Sequence, residues 1–392
     1  MPTLTGLDSL ILSNFEPIRG KSIGLVCNQA SVTKDYRHAL DLVVPASQSG
    51  VFKLAAVFGP QHGLFGHTQD NMIEWEGAPD PRIGVPIHSL YGERREPSDS
   101  MLEGVEEMVI DIFDVGARYY TFIWTLALCI KACEARGIAV TVLDRPNPIG
   151  GSQLEGNVQQ PGFESFVGLH PLLTRHGMTA GEIAGYLVEH FYPKAQVKVL
   201  QVQGWDRSKY LDETDAPWAM PSPNMPTVET AVVYPGGCFL EGTNISEGRG
   251  TTRPFETLGA AWLDGWKFAD ALNGLALPGV YFRPLQFQPT FHKFKGETCE
   301  GVFVHVTDRA TFEPVLTYVA IMQEIRRQAG DKFTWNPPPY EYEHIKLPID
   351  ILAGNIWLRE AIDGLSPLAA IRGRFQDDMS QFIKVRNSYL RY

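Results

Sequence analysis

The stretch EGTNISEGRGTTRPFE at 241–256 packs Glu241, Asn244, Glu247, Arg249 and Arg253 among glycines. Two carboxylates can move protons, and two guanidiniums can hold an anion. The alternative is a solvated loop with internal ion pairs, though such a loop seldom needs so many glycines beside so many charges. A second group follows an apolar run: LAAVFGP at 54–60 leads into Gln61 and His62 in a Gly-rich turn. A third follows EMVIDIFDV at 107–115, which carries Asp111 and Asp114 and leads to Arg118, Tyr119 and Tyr120. A fourth is Asp144 and Arg145 before PNPIGG. Taken singly, Asp114 or Asp144 reads equally well as a turn or helix cap, with Arg118 or Arg145 as its partner. Asn224, between prolines in PSPNMPT, is either a rigid ligand contact or a turn residue.

These polar groups sit where strands end. The runs at 21–28, 52–59, 107–115 and 138–144 read as strands, as does 196–205. Over 120–137 the pattern is helical, with Gly137 as its stop. Thr179 and Glu182 have capping-box spacing at the start of a further helix, and Thr5 or Asp8 caps one near the N-terminus. Strands alternating with helices predict a parallel sheet, and open parallel sheets bind ligands beyond the carboxyl ends of their strands. The expected organisation is an α/β domain over 1–210 and a smaller α+β domain over 211–392, with the Pro-rich connector 215–227 near the join.

Composition narrows the function. A hydrophobic share of 44% with 20% charged residues describes a globular chain, and the net charge of −11 argues against a nucleic-acid partner. No apolar run reaches membrane-span length. No P-loop, no G-x-G-x-x-G after a strand and no G-x-S-x-G elbow is present, so no cofactor is expected. Cys129 and Cys133 share a helix face without a second pair and read as core, and His62 and His67 lack a third ligand, so no metal is expected either. Five sparse cysteines and an N-terminus without a basic leader give a cytoplasmic expectation.

Ordered motifs nearly end to end carry a family resemblance. They include GPQHGLFG, GVPIHSLYG, DIFDVGARYYT, VLDRPNPIGG, RHGMTAGE, PSPNMPT and EGTNISEGRGTTRPFE. The chain resembles the exo-β-N-acetylmuramidase NamZ family. The resemblance implies a Rossmann-like domain plus a smaller mixed domain, with the active site in the cleft between them. It implies removal of terminal N-acetylmuramic acid from the non-reducing ends of peptidoglycan fragments. Such cleavage needs a carboxylic acid near the leaving oxygen. The lactyl carboxylate of muramic acid calls for a guanidinium, from Arg118, Arg249 or Arg253. Tyr119 or Tyr120 would stack on the ring or donate a hydrogen bond to it, and Asn224 and Asn244 would bind the substrate.

The resemblance also implies a glutamate where this chain has Gln61, an arginine where it has Phe65, and often a glutamine where it has Phe113. An amide cannot act as a carboxylic acid. Glu74, Glu76, Glu241 and Glu247 are the candidate replacements, with Gln61 and His62 positioning the substrate or assisting. A working pair of Glu241 or Glu247 with Asp111 or Asp114 is expected across the cleft. Two other readings stay open: a binding protein for muramic-acid-type sugars, and a hydrolase acting on a related anionic sugar.

Overall fold

The computed structural model describes residues 2–70 and 72–392. Helix α1 (Gly6–Leu12) starts at Thr5, whose hydroxyl accepts the Asp8 amide while the Asp8 carboxylate accepts the Thr5 amide. Then come β1 (Ser22–Cys27), α2 (Ala39–Gln48), β2 (Lys53–Gly59), β3 (Ile87–Ser89) and β4 (Glu107–Asp111). They are followed by α3 (Phe122–Arg136), β5 (Ala139–Leu143), β6 (Glu155–Val158), β7 (Leu173–Arg175), α4 (Ala180–His190) and β8 (Val197–Leu200). The predicted stops and caps are in place: Gly137 ends α3 at φ 66°, and Thr179 with Glu182 closes a capping box on α4.

Six strands form one sheet in the order β3-β2-β1-β4-β5-β8, and every pairing is parallel. Val26 lies opposite Phe58 on one side and Ile110 on the other. Strands with helices on both faces are apolar throughout, which is why they read as unbroken hydrophobic runs. The third run is shorter than its sequence suggests. Pairing stops at Asp111, and 112–121 leads into α3 as an irregular segment.

The order reverses between β1 and β4, the place where a Rossmann sheet takes its ligand. Here the chain itself fills that place. Asn28 and Gln29, just past β1, donate to the carbonyls of Pro221 (2.8 Å) and Met220 (3.0 Å) in the Pro-rich connector. Trp218 of the same connector packs edge-on against Phe113.

The second part holds α5 (Val228–Gly237), β9 (Thr257–Ala260), α6 (Gly265–Gly274), β10 (Val280–Phe287), β11 (Cys299–Val306) and α7 (Pro314–Ala329). The chain ends with α8 (Pro348–Ala353), α9 (Trp357–Asp363) and α10 (Leu368–Arg386). Strands β10, β11 and β9 form a small antiparallel sheet, and β6 pairs with β7 apart from both larger sheets. The architecture is α/β, a Rossmann-like parallel sheet with a smaller α+β part. Helix α10 returns to the first part, where Asp378 accepts the Val158 amide and Arg386 donates to Gly177. Among the described residues no helix is long and apolar enough to cross a membrane.

Candidate active site

Beyond the carboxyl end of β2 the chain turns sharply. Gly59 is required there, because a Cβ would stand 2.7 Å from the Trp75 ring. The turn delivers Gln61 and His62 into a cavity between the two parts of the fold. Tyr120, Thr121 and Phe122 reach it from the segment that opens α3, and Ser222 and Asn224 from the connector. Tyr234 of α5, with Glu241, Arg249 and Phe255 after it, and Tyr340 and Glu341 from late in the chain complete the lining. The cavity is narrow, with about 40 Å³ open to water. A wider groove of about 570 Å³, lined by Arg94, Arg95, Glu164, Phe166 and Tyr342, lies outside it. Glu341 lines both spaces.

Arg249 organises one wall. Its Nη2 donates to Glu241 at 2.6 Å, and its Nε lies 3.3 Å from Glu247. Its Nη1 is buried and has no hydrogen-bond partner among the described residues. Phe255 flanks the guanidinium at 5.3 Å. Glu241 also accepts the Tyr340 hydroxyl. Glu247 lies behind this wall, fully buried, held by Lys293 at 2.8 Å and His292 at 3.2 Å. Burial raises its proton affinity, but Lys293, His292 and Arg249 more than offset this and hold it well below the usual carboxylate range. Glu247 therefore serves as a fixed anion that positions Arg249.

The other wall is built on Gln61. Thr121 Oγ1 donates to its Oε1 at 2.6 Å, which turns its Nε2 toward Glu341 Oε1 at 3.0 Å. The Tyr91 hydroxyl donates to the other Glu341 oxygen at 2.9 Å. Burial, helped by the neighbouring Glu241 charge, pushes the Glu341 carboxyl up to about 7 against the pull of these two donors. His62 donates from Nδ1 to the Thr68 carbonyl at 2.9 Å, which leaves Nε2 as the acceptor nitrogen. Burial holds its pKa down at about 4, so it is neutral at neutral pH. Asn224 donates to the Gln69 carbonyl at 2.7 Å.

The remaining candidates from the sequence lie elsewhere. Asp111 is fully buried and clamped by Arg145 at 2.6 and 2.8 Å, at the end of β4. Asp114 accepts the Gly116 amide and meets His176 at 3.3 Å, so neither aspartate faces Glu241 across the cavity. Arg118 is spent on three backbone carbonyls, those of Asn157, Leu172 and Leu352. Tyr119 touches the cavity, but its hydroxyl is bound to the α5 carbonyl of Pro235. Arg253 pairs with Glu256 on another face, and Asn244 bonds the backbone of Lys332 and Thr334. Glu74 is exposed and accepts the Tyr342 hydroxyl at 3.1 Å, and Glu76 is exposed as well. Phe65 is half exposed and stacks near Arg82.

Glu341 was not among the residues singled out by sequence. Its stretch, PPPYEYEH at 337–344, has no period, and its only signal is a rigid proline run ahead of alternating tyrosines and glutamates. No cluster of potential metal ligands occurs among the described residues.

Comparison with known proteins decides the family. The family description "Exo-beta-N-acetylmuramidase NamZ, N-terminal" matches residues 23–229, and its C-terminal counterpart matches 232–392. The chain belongs to the NamZ family. It is similar to the peptidoglycan beta-N-acetylmuramidase NamZ of Bacillus subtilis (strain 168), 41% identical over 99% of this chain and 91% of that protein. Two crystal structures of DUF1343 family proteins from Bacteroides fragilis NCTC 9343 share the fold. One has a TM-score of 0.88 at 31% identity, covering 100% of this chain and 99% of that one. The other has a TM-score of 0.77 at 24% identity with the same coverage and speaks to the fold alone. The NamZ family thus supplies both halves of this chain, and the cavity lies where its two matched segments meet.

Proposed function

We propose that this protein is an exo-acting β-N-acetylmuramidase that releases terminal N-acetylmuramic acid from the non-reducing ends of peptidoglycan fragments. Family membership supports the reaction class and favours an enzyme over a binding protein. The observation that carries the substrate is Arg249, held by Glu241 and Glu247 with Nη1 unpartnered among the described residues beside the cavity. A guanidinium with an open N–H is the receptor that the lactyl carboxylate needs. The neutral His62 offers an acceptor to a sugar hydroxyl, and Tyr120, Tyr234 and Phe255 give the ring an apolar wall.

A cavity this narrow suits a chain end better than the middle of a chain, which fits exo action. The outer groove, with Arg95 stacked on Tyr342 at 3.8 Å, would receive the rest of the fragment. The inner space is far below the roughly 300–1,000 Å³ of ordinary ligand sites, so sugar entry must widen it. The test is hydrolysis of a chromogenic β-N-acetylmuramide beside the matching β-N-acetylglucosaminide, which lacks the lactyl group. Turnover of the muramide alone is expected. Equal turnover of both, or of the glucosaminide alone, would overturn the assignment of the substrate.

A further inference from the structure

We propose that Glu341 is the proton donor of this site and that Gln61 is its positioning residue. The assignment rests on the glycosidase reading above. The resemblance implies a carboxylic acid at position 61, and this chain has an amide there, which has no acidic proton to give. The nearest carboxyl to that amide is one hydrogen bond away: Gln61 Nε2 donates to Glu341 Oε1 at 3.0 Å. Thr121 fixes the orientation of the amide from behind. Tyr91 holds the second oxygen, and its hydroxyl can turn to accept as well as donate, so the pocket accommodates Glu341 in either protonation state.

Position supports the role. In an exo enzyme the bond to be cut spans the boundary between the terminal sugar and the rest of the chain. Glu341 lies on that boundary, since it lines both the narrow cavity and the wider groove. The backbone supports it too. Glu341 and Tyr342 both adopt left-handed conformations, at φ 45° and 67°, which side chains other than glycine take only where their surroundings impose it. The rivals are less suited. Glu241 is tied to Arg249 and Tyr340, Glu247 is buried behind the wall among three cations, and Glu74 is exposed. The carboxyl of Glu341 has only uncharged donors, and burial leaves it half protonated near pH 7, suited to an acid working at neutral pH.

The step balances without a cofactor. Glu341 gives its proton to the glycosidic oxygen as the bond from C1 breaks, and the bonding pair leaves with that oxygen. Glu241, paired with Arg249 at 2.6 Å, lines the same cavity and lies beside the positive charge that develops at C1. A water bonds to C1 and returns a proton to the Glu341 carboxylate.

The experiment compares native protein, Glu341→Gln, and the exchange variant Gln61→Glu/Glu341→Gln. The substrates are 4-nitrophenyl β-N-acetylmuramide and the disaccharide of N-acetylmuramic acid linked β-1,4 to N-acetylglucosamine. Nitrophenolate leaves without a proton, and a sugar alcohol does not. Glu341→Gln should lower kcat on the disaccharide by about 10²–10⁴-fold with KM little changed, and lower it much less on the nitrophenyl substrate. Its kcat/KM should lose the alkaline limb that native protein shows near pH 7. The exchange variant, which swaps acid and amide across the same hydrogen bond, should recover disaccharide turnover, and it carries the test should Glu341→Gln fold poorly. Equal losses on both substrates with the alkaline limb in place would overturn the assignment while leaving the glycosidase reading intact. Native protein silent on both substrates would overturn both.

Discussion

Two buried glutamates invite comparison. Burial pushes Glu155 and Glu341 alike up to about 7. Glu155 lies in β6, and its two oxygens accept the amides of Val315 and Leu316 at 3.0 and 2.8 Å, the first turn of α7. Those amides are orphan donors that the helix cannot satisfy itself, so the carboxylate completes a structural contact, and it lines neither the cavity nor the groove described above. Glu341 accepts from two side chains, an amide and a phenol, and lines two spaces. A raised proton affinity therefore reports only burial. What separates a site from a support is whether space adjoins the carboxyl and whether its partners can yield to a ligand.

The same contrast separates the arginines, and the largest expected effect lies there. Arg118 gives both terminal nitrogens to three carbonyls and keeps only Nε unpartnered, away from the cavity, whereas Arg249 keeps Nη1 unpartnered among the described residues and lines the cavity. Arg249→Met should lower kcat/KM on a β-N-acetylmuramide by about 10²–10³-fold, the cost of truncating one partner of a buried charge pair. Glu247 keeps Lys293 and His292, so the stability loss should stay near the low end of the buried-pair range, about 3 kcal/mol. Kinetics and denaturant unfolding on the same preparation check both. An unchanged kcat/KM for the folded protein would move Arg249 into the class of Arg118.

Next in size is the pH dependence that the two glutamates should share. Each has a folded pKa near 7 against about 4.3 unfolded, so folding takes up protons there. Their contribution to stability is complete below about pH 4 and is lost as pH rises through 7. Glu155→Gln and Glu341→Gln should thus each gain on native protein between pH 4 and pH 8, by up to about 3 kcal/mol. Unfolding titrations at several pH values read the slope. Activity per folded molecule should then part them: Glu155→Gln keeps it, and Glu341→Gln does not. Loss of activity in a stable Glu155→Gln would break the comparison.

Much of this fold could be read in the sequence because its signals are local. Parallel strands buried on both faces are continuous apolar runs, and Thr5, Gly137, Thr179 and Glu182 mark helix ends within a few residues. Gln61, His62, Tyr120, Asn224, Glu241 and Arg249 stood out as polar residues in Gly- or Pro-rich turns, and the fold brings them to one cavity. What local signals cannot give is the partner. Arg118 and Arg249 look alike in sequence. They differ only because backbone carbonyls from 157, 172 and 352 converge on Arg118. Asp111 and Arg145 form a saturated clamp for the same reason. Glu341 meets Gln61 across 280 positions of chain, from a loop with no period, so no window of sequence contains their relationship.

The smallest expected effect concerns Glu74, which the sequence offered as a replacement acid. It is exposed and accepts the Tyr342 hydroxyl at 3.1 Å, beside a residue that lines the outer groove. Its carboxylate lines neither the cavity nor the outer groove, so it is not placed to reach a glycosidic oxygen bound there. Glu74→Gln keeps a hydrogen-bond acceptor for Tyr342, so the loop should hold its place. An exposed substitution of this kind changes stability by no more than about 0.5 kcal/mol, and kcat/KM should stay within about twofold of native. The sharper readout is the pH profile, whose alkaline limb should be unmoved in Glu74→Gln and absent in Glu341→Gln. A limb that shifted with Glu74 would show that solvent exposure does not disqualify a carboxylate in this site, and the distinction drawn between Glu155 and Glu341 would fail.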